Sequence, residues 1–362
     1  MPGRAREVGR GHSIAAPFAA KARLKLPCQC PGECLDLLRA SKQEWGIREF
    51  PASPASRVAR RVLDPYHTRV FDMIYSQPKF SPGGDRYMLI EFGDEMNLDL
   101  NFMGQGLASA LAGGTIDGVV ETAPCFATTL IHYEPEIISY DDLKREVERL
   151  IGALGSSDDI EMDSRLFYFP TLYLDPWSKE CIDDYRAKIN PSKEHDPEFV
   201  ARINGLTDVE QFVRVHSGTE YWAASLGFWP GLAFLMPLDP RCRLTAPKYN
   251  PPRTWTPQGT LSMGGMSTAI YPVASPGGYQ LFGRTPVPIW DRERRFAEFE
   301  GDLCIFKPGD RLKFVPCSME QYLEVERQVT DGSYKYNIVE YQRFSVRNYK
   351  NWVKRLDLTA RF

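Results

Sequence analysis

This 362-residue sequence lacks a large excess of charge of either sign, since it contains 44 lysines and arginines and 47 aspartates and glutamates. Proteins that bind nucleic acid or anionic membranes through their surface potential usually carry a clustered positive excess. No apolar run approaches the roughly 18 residues that a membrane-spanning helix needs. We therefore expect no nucleic acid and no membrane among the partners, and a composition with 43% hydrophobic residues is typical of a soluble globular protein.

Cysteine is also sparse, and five of the eight cysteines are scattered singly along the chain. This distribution is typical of reduced cysteines in an intracellular protein. The other three form the cluster "CQCPGEC" at residues 28–34, which offers three thiols and no fourth ligand nearby. Since a structural zinc site needs four ligands, we predict a disordered leader here and no metal site.

The first 26 residues are rich in arginine and alanine and poor in acidic residues. This composition resembles an organellar transit peptide, and it equally fits a flexible tail or a stretch added by an upstream start codon. We expect residues 1–40 to be a disordered leader. The expected location is cytoplasmic, with a mitochondrial location as the alternative that the leader raises.

The next segment, residues 41–83, contains five prolines and is predicted to be an irregular extension. Regular hydrophobic periodicity begins at residue 84. Residues 84–175 predict the order β-α-β-β-α-β, which is the split βαβ pattern of a ferredoxin-like α+β domain. In its first strand, Met88, Ile90 and Phe92 share one face. Ser139 precedes the second of its two predicted helices and is expected to cap it.

Three further segments follow. Residues 176–220 predict a polar helical connection, in which Thr207 caps a helix over residues 208–216. Residues 221–317 contain short strands separated by glycine and proline, which predicts an all-β barrel. Residues 318–362 are a C-terminal extension, either a helix or an arm packed on the barrel.

The second half of the chain contains an ordered set of short motifs. They are His216-Ser217, Tyr221, "GFWPGLAFL" at 227–235, Pro252-Arg253, "IYP" at 270–272, "SPGGYQLFGRTP" at 275–286 and "FKPGD" at 306–310. This set resembles the carboxyltransferase C/D family, also called allophanate hydrolase subunit 1. The family includes one of the subunits of 5-oxoprolinase, the sporulation-kinase inhibitor and the carboxyltransferase region of urea carboxylase. The resemblance covers about residues 84 to 316.

The resemblance implies an α+β fold, with a ferredoxin-like N-terminal domain followed by an all-β cyclophilin-like barrel. It also implies pairing with a homologous second carboxyltransferase subunit, and an active region at or near the clefts of the paired barrels. One departure from the family pattern lies between the domains. A glycine-rich loop is replaced by "FPTLYLDPWSKECIDDYRAK" at residues 169–188, which puts contacts made by that loop in doubt.

Three side chains are candidate catalytic groups: His216, Tyr271 and Arg284. His216 is either a general base or an anion contact, because imidazole titrates near neutral pH, or a hydrogen-bonded histidine at a helix end. Tyr271 either donates to a substrate carbonyl or packs as an aromatic. Arg284, like Arg253, either binds a carboxylate, carboxyphosphate or allophanate-like anion through two N–H groups or braces a loop through an ion pair.

The candidate substrate-binding residues are mostly glycines and their neighbours. Two glycine pairs either present N–H groups to a developing oxyanion or form tight hairpin turns. Phe228 is positioned to wall a pocket, since adjoining glycine permits close approach of the backbone. The complete set is Arg253, Phe228, Pro230, Gly231, Gly264, Gly265, Gly277 and Gly278.

Signatures of cofactor binding are absent from the sequence: it contains neither GxxxxGK[ST] nor a Met-Lys-Met biotin-attachment context. We expect no cofactor bound by this chain alone, so that ATP or a biotinyl group, where needed, comes through a partner. The expected function is that of a subunit of a heteromeric ATP-dependent amide-processing enzyme of the 5-oxoprolinase or urea amidolyase type. It would act as a hydrolase or carboxyltransferase on a lactam or urea-like substrate in a composite site. The alternative is a regulatory module that binds and inhibits a partner such as a kinase.

Overall fold

The computed structural model describes residues 74–362. The predicted leader, its cysteine cluster and residues 41–73 of the predicted extension lie outside the described residues. The strands in chain order are β1 (Ile74–Pro82), β2 (Tyr87–Gly93), β3 (Val119–Cys125), β4 (Thr128–Tyr133), β5 (Glu161–Tyr173), β6 (Glu220–Leu226), β7 (Ala233–Pro237), β8 (Thr260–Gly264), β9 (Ser267–Ile270), β10 (Gln280–Arg284), β11 (Arg311–Pro316) and β12 (Asn337–Ser345). The helices are α1 (Leu98–Leu111), α2 (Tyr140–Leu154), α3 (Pro176–Lys188), α4 (Asp196–Ile203), α5 (Val209–Ser217), α6 (Met319–Asp331) and α7 (Val346–Val353).

Four strands form a small antiparallel sheet in the order β1-β2-β4-β3. The alternation predicted for β2 is confirmed, because Met88, Ile90 and Phe92 are buried while the side chains between them are partly exposed. Helices α1 and α2 contribute Leu107 and Val147, among others, to the same core. This sheet and its two helices therefore share one hydrophobic layer.

Both helices have side-chain caps, of which the one at Ser139 was predicted from the sequence. The side chain of Asn97 accepts a hydrogen bond from the Asp99 N–H at 2.8 Å, which satisfies one of the free donors at the start of α1. Ser139 accepts from the Asp142 N–H at the start of α2. Along α2, Leu143, Val147 and Leu150 form the buried stripe that their helical spacing predicts.

Two strands differ from the sequence prediction. β1 occupies residues 74–82, inside the stretch predicted to be irregular, so that prediction is wrong for these residues. Its prolines and mostly exposed side chains hide the period of two, as is common for an edge strand. The strand predicted to complete the split βαβ domain, β5, pairs with β10, β11 and β12 in the larger sheet. The predicted boundary at residue 175 therefore separates β5 from the strands with which it pairs in the larger sheet.

The larger sheet contains eight strands in the order β10-β8-β9-β7-β6-β11-β5-β12. It closes on itself because β10 pairs both with β8 and with β5. Its interior holds a large aromatic core that includes Phe167, Phe169, Phe282, Phe306 and Phe314. The predicted range 221–317 thus supplies most of the closed sheet, and β5 and β12 are added from outside that range.

A buried polar contact joins α1 to the larger sheet. Asn101 donates to the carbonyl oxygens of Phe126 and Ala224 at 2.8 and 2.9 Å, and its own side-chain oxygen accepts from the Trp222 indole N–H at 2.8 Å. Phe102 packs edge-on against Trp222. Since buried amides need their partners, this contact fixes how the two sheets meet.

The stretch predicted as a polar helical connection contains α3, α4 and α5. Phe212 and Val215 of α5 join the core of the larger sheet. The cap predicted for α5 is off by one residue, because the Asp208 carboxylate, and not Thr207, accepts from the Gln211 N–H at 2.6 Å.

The C-terminal extension is integrated into the larger sheet. Ser318 and Gln321 form a capping box at the start of α6. β12 pairs antiparallel with β5, and α7 follows it directly. None of the helices between residues 74 and 362 is long and apolar enough to cross a membrane.

Candidate functional site

A small pocket collects residues from the β6–β7 loop, β7, β8, β9 and the segment that precedes β10. Its volume is about 110 Å³, and its walls are largely aromatic. The polar groups in the lining are the Lys248 ammonium and the hydroxyls of Ser262, Tyr271 and Tyr279. We call this the aromatic pocket; its lining is Phe228, Leu232, Phe234, Lys248, Ser262, Ala269, Tyr271, Gly278 and Tyr279.

Two glycines make room for the two pocket tyrosines. A Cβ built on Gly277 would lie 1.9 Å from the Tyr271 hydroxyl oxygen. A Cβ built on Gly264 would lie 2.3 Å from the Tyr279 ring. Neither glycine has a positive φ, so the reason for glycine at both positions is the close approach of a tyrosine.

Arg253 lies behind the tyrosines and is 2% exposed. Its guanidinium donates to the Tyr279 carbonyl oxygen at 2.5 Å and to Thr256 Oγ1 at 3.2 and 3.3 Å. A longer contact of 3.4 Å reaches the Tyr271 hydroxyl, and the Tyr249 ring centre lies 4.4 Å away. Arg253 therefore positions the pocket tyrosines from within the protein, which differs from the predicted direct contact with substrate.

Burial reinforces the neutral form that a tyrosine already has near pH 7. It raises the pKa of Tyr271 and of Tyr279, and Arg253 only partly offsets this at Tyr271. Both hydroxyls are therefore neutral near pH 7 and able to donate a hydrogen bond. Tyr279 already shares a 3.3 Å hydrogen bond with Ser267.

Lys248 and Ser262 are polar pocket residues that the sequence analysis did not single out. The Lys248 ammonium nitrogen lies 5.5 Å from the centre of the Tyr279 ring, within the range of a cation–π contact. A lysine in a proline-rich segment has the same appearance in sequence as any surface lysine. Its place in the pocket depends on the tertiary fold.

The β6–β7 loop forms an exposed aromatic rim beside the pocket. Phe228 is 66% exposed and has a φ of +68°, which is unusual for a residue with a bulky side chain. Trp229 is also exposed, at 39%, and Pro230 follows it at the surface. Gly231 has a φ of +80°, and a Cβ there would lie 2.8 Å from the Ile289 carbonyl oxygen. The loop conformation therefore requires glycine at 231 and presents two aromatic rings outward.

Arg284 faces a different cavity, of about 250 Å³, which Tyr271 also lines. Its Nε donates to the Gln258 carbonyl oxygen at 2.8 Å, and its Nη1 lies 3.9 Å from a Glu326 carboxylate oxygen. Its guanidinium carbon lies 4.8 Å from the centre of the Trp177 ring. These contacts hold β10 against α3 and α6. Of the two alternatives for Arg284, the structure therefore favours the bracing role over binding of a substrate anion.

His216 lies in the core of the larger sheet and is fully buried. Its Nδ1 is 2.8 Å from the Tyr173 hydroxyl and its Nε2 is 3.0 Å from Thr268 Oγ1. Burial lowers its pKa to about 3, so the ring is neutral at physiological pH. The structure therefore favours the alternative of a hydrogen-bonded structural histidine, and it does not bring His216 to the aromatic pocket.

The glycine pairs do not present a free set of N–H groups. The Gly265 N–H donates to the Ala246 carbonyl oxygen at 2.7 Å, and the Gly277 N–H donates to that of Arg253 at 3.2 Å. Gly264 and Gly265 turn the chain between β8 and β9, which is the hairpin alternative. Gly278 is the glycine of these pairs that lines the pocket.

The pocket has donors but lacks an acid–base group that titrates near neutral pH. Within the described part of the chain, its lining contains neither a carboxylate nor an imidazole. It is therefore suited to bind and polarise a small carbonyl compound. A search of residues 74–362 finds no group of three or more His, Cys, Asp or Glu residues arranged to hold a metal ion.

Comparison with known proteins places this geometry in a family. Residues 78–299, more than half of the chain, match the family described as "Carboxyltransferase domain, subdomain C and D". The chain belongs to this family. The matched range contains every candidate site residue from His216 to Arg284, while β11, β12 and α7 lie beyond it.

The relatives differ greatly in length. Urea amidolyase from Saccharomyces cerevisiae is 30% identical over 323 residues, which is 86% of this chain and 17% of that protein. A 5-oxoprolinase subunit from Bacillus subtilis is 30% identical over 249 residues, which is 66% of this chain and 92% of that protein. The chain thus spans about a sixth of the urea amidolyase it matches and nearly all of the bacterial subunit.

A solved structure supports the fold. The crystal structure of the K. lactis urea amidolyase matches 76% of this chain and 17% of that chain, with a TM-score of 0.67 and 27% identity. The mixed α/β architecture with antiparallel sheets is therefore shared with a carboxyltransferase relative.

Proposed function

We propose that the aromatic pocket binds the substrate in one half of a composite active site, as part of a heteromeric ATP-dependent amide-processing enzyme. The substrate class is a lactam or urea-like compound, and the reaction is hydrolysis or carboxyl transfer at a C–N bond. The observation that carries the proposal is the pocket's neutral and cationic donors in a member of this family, beside an exposed aromatic rim.

The pocket chemistry suits a planar carbonyl compound. Aromatic walls pack against a flat amide, and the neutral Tyr271 hydroxyl donates to its carbonyl oxygen. We propose that the Lys248 ammonium stabilises negative charge that develops on that oxygen or is carried by the substrate, which its presence in the lining supports. Arg253 holds both tyrosines in place through the contacts described above.

A second subunit supplies what the pocket lacks. General acid–base catalysis needs a group whose pKa lies near the working pH, and the pocket lining holds no carboxylate or imidazole. Phe228 and Trp229 form a rim of exposed aromatic side chains, which are enriched where proteins associate. We propose that a homologous carboxyltransferase subunit covers this rim and that ATP or a biotinyl group reaches the site through that partner.

The resemblance to the family implies one fold for each of the two sheets. We propose that the small sheet is a ferredoxin-like domain in which β1 takes the edge position next to β2. The closed larger sheet would be the cyclophilin-like barrel, extended by β12.

The test is turnover by the reconstituted heteromer. The full chain would be co-expressed with a homologous second subunit, and ATP-dependent consumption of 5-oxoproline and of urea would be measured. We expect Tyr271→Phe and Lys248→Gln to lower kcat/KM by roughly 10- to 100-fold, because each removes one donor to the carbonyl. The matched controls are Tyr87→Phe and Lys354→Gln at exposed positions, which should retain full activity.

Three outcomes would contradict the proposed site, the proposed rim and the proposed function in turn. Full activity of both pocket variants would contradict the assignment of the aromatic pocket as the substrate site. Retained association with the second subunit after Phe228→Ala and Trp229→Ala together would contradict the proposed rim. No turnover of either amide, combined with tight inhibitory binding to a kinase, would favour the regulatory alternative.

A further inference from the structure

A second groove, of about 520 Å³, lies on the larger sheet away from the aromatic pocket. One side is formed by β5, β6 and β11, and the other by β12 and α7. More than half of its lining comes from residues 311–352, which follow the family match that ends at residue 299. We call it the C-terminal groove.

The alternation of β11 places two cations in this groove. Leu312 and Phe314 point into the core of the closed sheet and are fully buried. Arg311 and Lys313 therefore lie on the opposite face, which the C-terminal groove covers. In the strand register, Lys313 is the neighbour of Tyr168 on β5 and of Glu220 on β6.

Most charges of the groove are already paired. Arg311 contacts Glu220 at 2.8 Å. The groove's third cation, Arg343, contacts a carboxylate outside the groove, Glu161, at 2.8 Å. Asp239, the other acid of the lining, is neutralised by Arg241, also outside it, at 2.7 Å.

Lys313 is the exception in this lining. Among residues 74–362, its ammonium group forms neither an ion pair nor a hydrogen bond. It is also partly buried, and burial lowers the pKa of its ammonium group, although Cys242 and, to a smaller extent, Glu220 on the neighbouring strand act in the opposite direction. A partly desolvated ammonium without a direct partner gains more from an added anion than an exposed lysine does.

β12 and α7 bring three aromatic rings to the groove, beside the polar side chains of Gln342, Arg343 and Ser345. Tyr349 and Trp352 of α7 line it with ring centres 6.1 Å apart. Phe344 of β12 adds a third ring. Asn348, one turn before Trp352, brings a side-chain amide to the same space. A ligand with one charged end and a flat body fits a lining that offers the Lys313 ammonium together with three aromatic rings.

We propose that the C-terminal groove is a binding site for a planar organic anion, an aromatic carboxylate or a close analogue, whose charge meets Lys313 and whose body packs on Tyr349 and Trp352. This site is separate from the aromatic pocket, with which it shares no lining residue. It is built largely from the part of the chain that follows the family match. It therefore serves as an additional ligand site and does not replace the proposed substrate pocket.

The experiment uses the full chain and two fluorinated probes, 4-fluorobenzoate and its neutral analogue 4-fluorobenzamide. Fluorine NMR line broadening, titrated with protein, gives the affinity of each. We expect saturable binding of the carboxylate and weaker binding of the amide. Lys313→Gln should weaken carboxylate binding about tenfold, since a hydrogen bond to a charged group contributes on the order of 1.5 kcal/mol.

Matched variants separate the possible sites. Lys354→Gln removes an exposed lysine just after α7 and should leave the affinity unchanged. Lys248→Gln should also leave the affinity for 4-fluorobenzoate unchanged. If this variant alone lost 4-fluorobenzoate binding, the probe would lie in the aromatic pocket, and the proposal would be overturned. Lys313→Arg keeps the charge and should retain binding, and Trp352→Ala should weaken both probes. Equal binding of carboxylate and amide, wild-type affinity in Lys313→Gln, or no saturable binding of 4-fluorobenzoate would each overturn it.

Discussion

Gly277 and Tyr271 approach so closely that a Cβ atom added at residue 277 would clash with the tyrosine. A Cβ at residue 277 would lie 1.9 Å from the Tyr271 hydroxyl oxygen and 2.6 Å from the ring carbon that bears it. The tyrosine is buried and hydrogen-bonded to Arg253, so it has little freedom to move aside. The pocket wall therefore depends on a residue that itself carries no side chain.

Gly277→Ala should displace Tyr271 and destabilise the protein by about 1–3 kcal/mol, the usual cost of overpacking a filled core. The free energy of unfolding would be measured by guanidinium chloride denaturation. Gly301→Ala is the matched control, because nothing lies within 4 Å of a Cβ at that position. Equal stability of the two variants would show that Tyr271 is not held as described.

Arg253→Met should destabilise the protein by about 1–3 kcal/mol, because the buried Tyr279 carbonyl oxygen loses its donor. It should also lower substrate affinity in the heteromer, since both pocket tyrosines lose their support. Arg253→Lys should restore only part of the stability, because one ammonium cannot reproduce the planar set of donors. Denaturation midpoints give the comparison with Arg292→Met, an exposed arginine on the same half of the chain. A midpoint for Arg253→Met that equals the control would contradict this assignment.

His216 predicts a pH dependence of stability. Burial depresses its pKa from 6.5 to about 3 in the folded state, so below pH 6.5 the unfolded chain binds one more proton than the native protein. Its contribution to stability is present above pH 6.5 and is lost as the pH falls toward 3, at about 1.4 kcal/mol per pH unit.

His216→Gln should lower stability at pH 7.5 and reduce the slope of stability between pH 6 and 4.5. Denaturation at several pH values in this window measures both effects. His132→Gln, which changes a partly exposed histidine of the small sheet, should keep the wild-type slope. An unchanged slope in His216→Gln would mean that the ring is protonated without cost.

Asp175 predicts an effect of the opposite sign. It caps α3 through one carboxylate oxygen, while the other is buried and has no hydrogen-bond partner among residues 74–362. Burial raises its pKa and outweighs the opposing effects of the Ser178 hydrogen bonds and of Arg284. Stability from this group is therefore present at low pH and is lost as the pH rises through the native pKa.

Asp175→Asn keeps the capping oxygen and removes the buried charge, so its unfolding midpoint should exceed that of the wild type at pH 7. The advantage should shrink toward pH 4. The matched control is Asp208→Asn at the exposed cap of α5, where hydrogen bonds to Gln211 and Thr207 lower the pKa of the carboxyl. Asp208→Asn should lose stability at pH 7. A gain of stability in Asp208→Asn, or a loss of stability in Asp175→Asn, would contradict the prediction.

Local signals in the sequence determined the elements whose partners are near in the chain. The alternation of Met88, Ile90 and Phe92 predicted β2, and Ser139 marked the start of α2, because side-chain periodicity and capping depend on adjacent residues. The motif at residues 275–286 identified the family, and one of its glycines, Gly277, lies against Tyr271, which the fold brings to it.

Only the tertiary structure decided which sheet each strand joins and which side chains meet. β5 follows the small sheet in sequence but pairs with β11 and β12, since strand pairing depends on residues more than a hundred positions away. The same long-range packing buries His216 in the core, places Arg284 beside α6 and brings Lys248 to the aromatic pocket. Residue type and spacing determined which groups were available for chemistry, while their burial and partners depended on contacts between distant parts of the chain.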